Sequence, residues 1–100
     1  MNVTITNEGD KMLVTVTGRL DTTNVLDFEK EIMPVLAAPP QEIVMECSDF
    51  DYISSSGLRI FLTMQKQIGG KGGKLVLRNM KPEIREVFDM TGFSSIFTIE

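Results

Sequence analysis

Asp49-Phe50-Asp51-Tyr52-Ile53-Ser54-Ser55-Ser56-Gly57-Leu58-Arg59 runs an apolar strand into three consecutive serines and from there into an apolar helical pattern. The serines fall at a helix start, where N–H groups have no preceding turn to satisfy them. Small hydroxyl side chains at such a point form a helix cap, an anion site or an acceptor for phosphate. A cap needs one serine. Three in a row, followed by Gly57, which is costly inside a helix, suggest in addition a place where a partner comes close to the backbone, and from the residues alone the plain cap and the recognition site both stand.

Beyond this junction Leu58, Phe61, Leu62, Gln65 and Ile68 recur at helical spacing, and Gly69-Gly70 supplies a stop. Lys74-Leu75-Val76-Leu77-Arg78 then reads as a buried strand. Pro82 opens a further helix through Ile84, Val87 and Phe88, Gly92 ends it, and Ile96-Phe97-Thr98-Ile99 makes a last strand. On the other side, Ile43-Val44-Met45-Glu46-Cys47 has the composition of a strand covered on both faces, at the centre of a sheet. Ahead of it, Asp21-Thr22-Thr23-Asn24 offers cap-type residues before Val25, Phe28, Glu29, Ile32 and Leu36. Pro34 and Pro39-Pro40 end that helix between Met33 and Ala38.

The first residues alternate instead. Val3 and Ile5, then Met12, Val14 and Val16 after the polar turn Asn7-Glu8-Gly9-Asp10, predict a β-hairpin that Gly18 closes. The order is β-β-α-β-α-β-α-β. Alternation after a hairpin requires crossovers, so the fold class is α/β: one domain over residues 1–100, a mainly parallel central sheet with an N-terminal hairpin, and helices packed against it.

A chain of 100 residues that is 42% hydrophobic and 24% charged buries a core without staples. Its net charge of -4 argues against general affinity for nucleic acid or anionic membranes. No apolar run approaches the roughly 20 residues of a membrane-spanning helix. A single cysteine and a start without signal-peptide character point to the cytoplasm.

Absences narrow the chemistry further. There is no histidine for a triad or shuttle, and one cysteine gives no zinc set. Gly69-Gly70-Lys71-Gly72-Gly73-Lys74 lacks the spacing of a phosphate loop and follows a helix instead of opening one. It reads as a helix-to-strand connection with solvated lysines. Asp49 and Asp51 read as a solvated turn before the helix, not as metal ligands. Cys47 reads as a small core hydrophobe, and most of the seven methionines, Met33, Met64, Met80 and Met90 among them, as core fillers.

Three motifs in order on this frame resemble a STAS domain of the anti-sigma-factor antagonist type. Gly18-Arg19-Leu20-Asp21 is similar to the family's G-x-L-D turn, Asp49 to Leu58 to its strand-to-helix phosphorylation loop, and Asp89-Met90-Thr91-Gly92-Phe93 to its D-M-[ST]-G segment. The resemblance implies a non-enzymatic, cytoplasmic regulator of transcription by partner switching. In that cycle the antagonist binds an anti-sigma-factor serine kinase and frees a sigma factor, the kinase phosphorylates the antagonist, and a serine phosphatase reverses this. Neither cofactor nor metal is implied, nor direct nucleic-acid contact or membrane insertion.

Laid onto the family loop D-S-[ST]-G, the acceptor is Ser55, with Ser56 the second choice. The resemblance makes Asp21, Thr22, Ser54, Ser56, Gly57 and Leu58 the partner-binding residues. Asp21 also reads as a cap for the first helix. Ser54 stands where the family keeps an aspartate, which supports an alternative: a STAS docking subunit of a transporter or signalling complex that is not phosphorylated. A nucleotide-binding sensor is a third reading. The chain stops at its last strand, without the C-terminal helix of many members, and the apolar surface left uncovered favours partner binding or self-association.

Overall fold

Seven consecutive cross-strand pairs, from Asn2 opposite Thr17 to Glu8 opposite Lys11, build the hairpin of β1 (Asn2–Glu8) and β2 (Lys11–Leu20). The computed structural model describes all residues from Met1 to Glu100. Helix α1 (Val25–Ala37) returns the chain to β3 (Glu42–Ile53), α2 (Ser55–Gly70) to β4 (Lys74–Arg78), and α3 (Pro82–Met90) with a 3-10 turn (Phe93–Ser95) to β5 (Thr98–Ile99). The sheet order is β1-β2-β3-β4-β5, antiparallel only at the hairpin, and β3 is central as expected.

This order decides the layering. Three right-handed crossovers that all step the same way across a sheet place all their helices on one face. Phe28, Ile32 and Leu36 of α1, Phe61, Met64 and Ile68 of α2, and Ile84 and Phe88 of α3 accordingly share one core with Val14, Val16, Ile43, Met45, Cys47, Leu75 and Leu77. Phe61 is its hub, with ring centroids 6.0 Å from Phe28, 5.9 Å from Phe50 and 6.2 Å from Phe88. β3 is thus buried on both faces through Ile43, Val44, Met45 and Cys47, as its composition suggests, but helices cover only one of them. Val44 and Val76 are buried on the opposite face among neighbouring strand side chains. One end of that face carries the row Glu8, Lys11, Glu42 and Lys74, whose signs alternate across four strands.

Other boundaries move for local reasons. β2 continues past Gly18, whose φ of 91° accompanies a register shift, to Leu20. β3 runs six residues past Cys47, because Asp49, Phe50, Tyr52 and Ile53 pair with Thr17, Gly18, Arg19 and Leu20. Asp49 and Asp51 thus lie in a strand, not in a turn.

Pro34 sits inside α1, which ends at Ala37, where Lys71 Nζ reaches the carbonyls of Leu36 and Ala37 at 3.4 and 3.3 Å. Gly69 and Gly70 remain helical, and the stop comes at Gly72, with φ of 78°. The last strand shrinks to two residues, since Phe93–Ser95 form the 3-10 turn. Met64 is core, but Met33 and Met90 are exposed, Met90 to 79%, because a helix layer in a two-layer fold keeps its outer face in solvent.

Candidate functional site

The serines mark the turn from β3 into α2, at the carboxyl ends of the parallel strands, where open α/β sheets gather their functional loops. Ser54 N donates to Leu20 O at 2.9 Å, which ties this turn to the end of β2. Ser54 is extended, with φ of -85° and ψ of 170°, and its Oγ accepts from the Gly57 amide at 3.2 Å. It is the N-cap. The same oxygen lies 3.0 Å from Ser56 Oγ, so two of the three hydroxyls are committed to each other and to the helix start.

Ser55, the first residue of α2, is exposed, and its hydroxyl makes no hydrogen bond. It projects beside the positive end of a 16-residue helix, where negative charge is stabilised. The helix has no acidic residue in its first turn, so that end is not already compensated.

Gly57 and Leu58 are placed differently from their expected part in direct partner contact. Both are buried. A Cβ at Gly57 would stand 2.9 Å from Cδ2 and Cγ of Leu20 and 3.0 Å from Cγ1 of Ile53. The glycine therefore lets the start of α2 sit down on β2 and β3, and a partner meets the surface that this close packing positions. Leu58 belongs to the core.

Asp21 and Thr22 lie in the turn between β2 and α1, the next loop along the same sheet end. Asp21 Oδ1 accepts from the Thr23 amide and hydroxyl, and its backbone carbonyl receives the amides of Asn24 and Val25. Its carboxylate closes its own turn rather than capping the first helix, which corrects that reading. The Thr23 hydroxyl and then the Thr23 amide hold the Asp21 carboxyl below the usual range, outweighing the opposing effect of burial, with a smaller contribution from the Arg19 charge. Asn24 precedes α1 yet turns backward, accepting from Asp21 N and donating to Arg19 O. Thr22 is exposed.

Three residues not expected at the site frame it. Arg19 lies 4.2 Å above the Tyr52 ring and 4.0 Å from the Asp21 carboxylate. Lys81, at the start of α3, pairs with Asp51. The signal for Arg19 was its place within Gly18-Arg19-Leu20-Asp21, whereas Lys81 had none, because nothing local ties it to a strand end 30 residues earlier. With Asp51 bound to Lys81, no third carboxylate or thiol joins Asp49 and Asp51 in a metal-ligating set.

Asp89, Thr91 and Gly92, the third motif, build a turn away from the serines. Asp89 accepts from Ser94 and Arg85, Thr91 Oγ1 donates to Val87 O at 2.9 Å, and Gly92 takes φ of 79°. The hydrogen bonds from Ser94 and then Arg85 keep the Asp89 carboxyl below its usual range.

Comparison with known proteins places this arrangement. Residues 2–100 match the family model for the STAS domain. The chain is 33% identical over 99 residues to BtrV of Bordetella bronchiseptica, provisionally named an anti-sigma factor antagonist, covering 99% of this chain and 85% of that one. It is 26% identical over 99 residues to the anti-sigma-B factor antagonist of Bacillus subtilis, covering 99% and 90%. The Bacillus cell fate determinant SpoIIAA in its phosphorylated form superposes with a TM-score of 0.76 at 18% identity, over 99% of this chain and 91% of that one.

Proposed function

The chain belongs to the STAS domain family, and from that premise we propose that it is an anti-sigma-factor antagonist switched by phosphorylation of Ser55. It works as a non-enzymatic binding module in the cytoplasm. Its unmodified serine turn docks on an anti-sigma-factor serine kinase, which then gives up its sigma factor, and a serine phosphatase resets the modified form. Relatives named as antagonists support the role. The structure of a phosphorylated neighbour with this fold supports a covalent switch.

One observation carries the choice of Ser55: its hydroxyl is exposed and free, while Ser54 and Ser56 hold each other and the Gly57 amide. A kinase presenting ATP reaches Ser55 Oγ without dismantling the cap. The phosphate would add about 1.5 to 2 negative charges near the helix N-terminus, a place the fold tolerates. A docked partner would have to desolvate that charge, so the modified form dissociates. Ser54 supplies the cap that an aspartate would otherwise give, without its charge, which leaves transfer to depend on positioning.

The test is incubation with the cognate kinase and ATP, followed by mapping of the phosphate by mass spectrometry in wild type and Ser55→Ala. One phosphate on Ser55, absent from the variant, is the expected result. An unmodified wild type beside a kinase active on another antagonist would refute the switch. A phosphate that persists in Ser55→Ala would move the acceptor to Ser56 or Ser54.

A further inference from the structure

Opposite in character to the serine end is the outer margin of the hairpin. β1 pairs only with β2, so on its far side alternate residues hold unpaired N–H and C=O groups. The other margin of the sheet, β5, is two residues long, whereas β1 offers seven residues in unbroken register. Asn2-Val3-Thr4-Ile5-Thr6-Asn7-Glu8 contains no lysine, proline or bulge, the usual devices that blunt an edge strand. It is rich in residues that favour extended backbone.

The edge is also grooved. Val3 and Ile5 stand opposite Val16 and Val14 and so point to the helix side, yet α1 leaves Ile5 38% exposed and Met1 36% exposed. A pocket of about 160 Å³ opens there between Met1 and Val3 on one wall and Asn24, Asp27, Phe28 and Glu31 of the α1 side on the other. Asp27 and Glu31 lie one helical turn apart, and neither forms an ion pair.

We propose that β1 is a second docking surface, which takes an extended segment of a partner protein as a sixth strand. That segment presents apolar and basic side chains alternately toward α1. Backbone hydrogen bonds to the free edge supply pairing, the apolar side chains lie against Met1, Val3 and Ile5, and a lysine or arginine neutralises Asp27 and Glu31. A second copy of this chain fits less well. Its own β1 carries no cation and would bring another Asp27 and Glu31 to the seam. Because β1 lies at the sheet margin and the serines at the β3–α2 turn, occupation of one leaves the other open.

The probe is the blocked peptide Thr-Val-Thr-Lys-Thr-Val-Thr-Lys, with a control bearing glutamate for each lysine, titrated into the ¹⁵N-labelled full chain. The expected result is shifted and exchange-protected amides along Asn2–Glu8 and on α1 near Asp27 and Glu31. Binding should weaken at least tenfold with the glutamate peptide and with the Asp27→Asn, Glu31→Gln double variant, whose exposed positions leave the fold intact. Ser55→Ala should bind the peptide as wild type does, so this result stands or falls apart from the phosphorylation switch. Undisturbed β1 amides at millimolar peptide, or equal binding of the two peptides, would overturn the proposal. So would β1 amides that shift with protein concentration alone while the sedimenting mass doubles, since a second copy would then be the occupant.

Discussion

The hydroxyl oxygen of Ser54 lies 3.0 Å from that of Ser56. The pair is anchored by the 3.2 Å bond from the Gly57 amide to Ser54 Oγ, at a serine only 8% exposed. Ser54→Ala removes the cap and leaves a buried donor without its partner, so it should cost about 1 kcal/mol. Ser56→Ala should cost less, because the cap itself survives. Ser54→Asp keeps an acceptor in place and should recover most of the loss. Urea denaturation of the three variants measures the order, and equal stability of Ser54→Ala and wild type would remove the cap from the account.

Gly57 and Leu20 set a second expectation. The added methyl of Gly57→Ala would meet Leu20 side-chain carbons at 2.9 Å, and Leu20 is fully buried. Alanine gains up to about 1 kcal/mol of helix propensity over glycine, while overpacking a filled core costs typically 1 to 3 kcal/mol. Overpacking wins, and the melting temperature should fall by several degrees. Leu20→Val frees space at the same contact, so the double variant should be more stable than the sum of the two single changes predicts. Additive effects would show that the two residues do not press on each other.

These two contacts divide what is legible in the sequence from what is not. The order of strands and helices follows from apolar spacing, since Leu58, Phe61 and Ile68 or Val14 and Val16 report their own element. The turn of serines is equally local. The role of Gly57 is not, because the atoms that forbid a side chain there belong to Leu20, 37 residues away, and Ile53. The continuation of β3 through Asp49 and Tyr52 was hidden for a similar reason. The helix-free face of the sheet accepts polar residues, so no apolar run marks the strand. Met33 and Met90 show the converse, apolar residues whose exposure depends on the one-sided stacking of the helices.

Cys47 should be inert in the folded protein. It is fully buried, and burial, followed by the neighbouring Glu46 charge, pushes its thiol up to about 12. The unfolded thiol ionises near pH 8.5, so this group favours folding below that pH, and its contribution is lost as pH rises toward the folded value. A thiol reagent at pH 8 should label Cys47 only as fast as the chain unfolds. Labelling should therefore accelerate in Gly57→Ala, by up to about tenfold for each 1.4 kcal/mol of stability lost. Rapid labelling of stable wild type would contradict the burial.

Glu46 should govern part of the acid limb. Burial acts to raise its carboxyl, but hydrogen bonds from Arg78 at 2.6 Å, from Asn79 and from the Ser48 amide outweigh it and hold the group below its usual range. A depressed folded value means that the stabilisation is complete above the unfolded value of about 4.3 and fades as pH falls through the folded one. Glu46→Gln should be less stable than wild type at pH 7, and the gap should close between pH 4.5 and lower values. Urea midpoints across that range test the sign. A gap that stays constant would assign the loss to packing instead of charge.

Ser55→Glu separates what a charge does to the fold from what it does to binding. The side chain at this position is exposed at the first residue of α2, whose first turn has no acid of its own. A carboxylate there interacts favourably with the helix N-terminus, worth about 0.3 to 1 kcal/mol, so the melting temperature should rise by a few degrees at low salt and the gain should shrink at high salt. A kinase seated on the same turn would instead have to desolvate that carboxylate, so the variant should bind it at least tenfold more weakly than wild type. Ser55→Gln, of equal size without charge, should leave stability near wild type and lose less affinity. If Ser55→Glu stabilises the chain yet binds the kinase as wild type does, charge at this position does not operate the switch. If it destabilises the chain, the helix N-terminus does not welcome the phosphate in the first place.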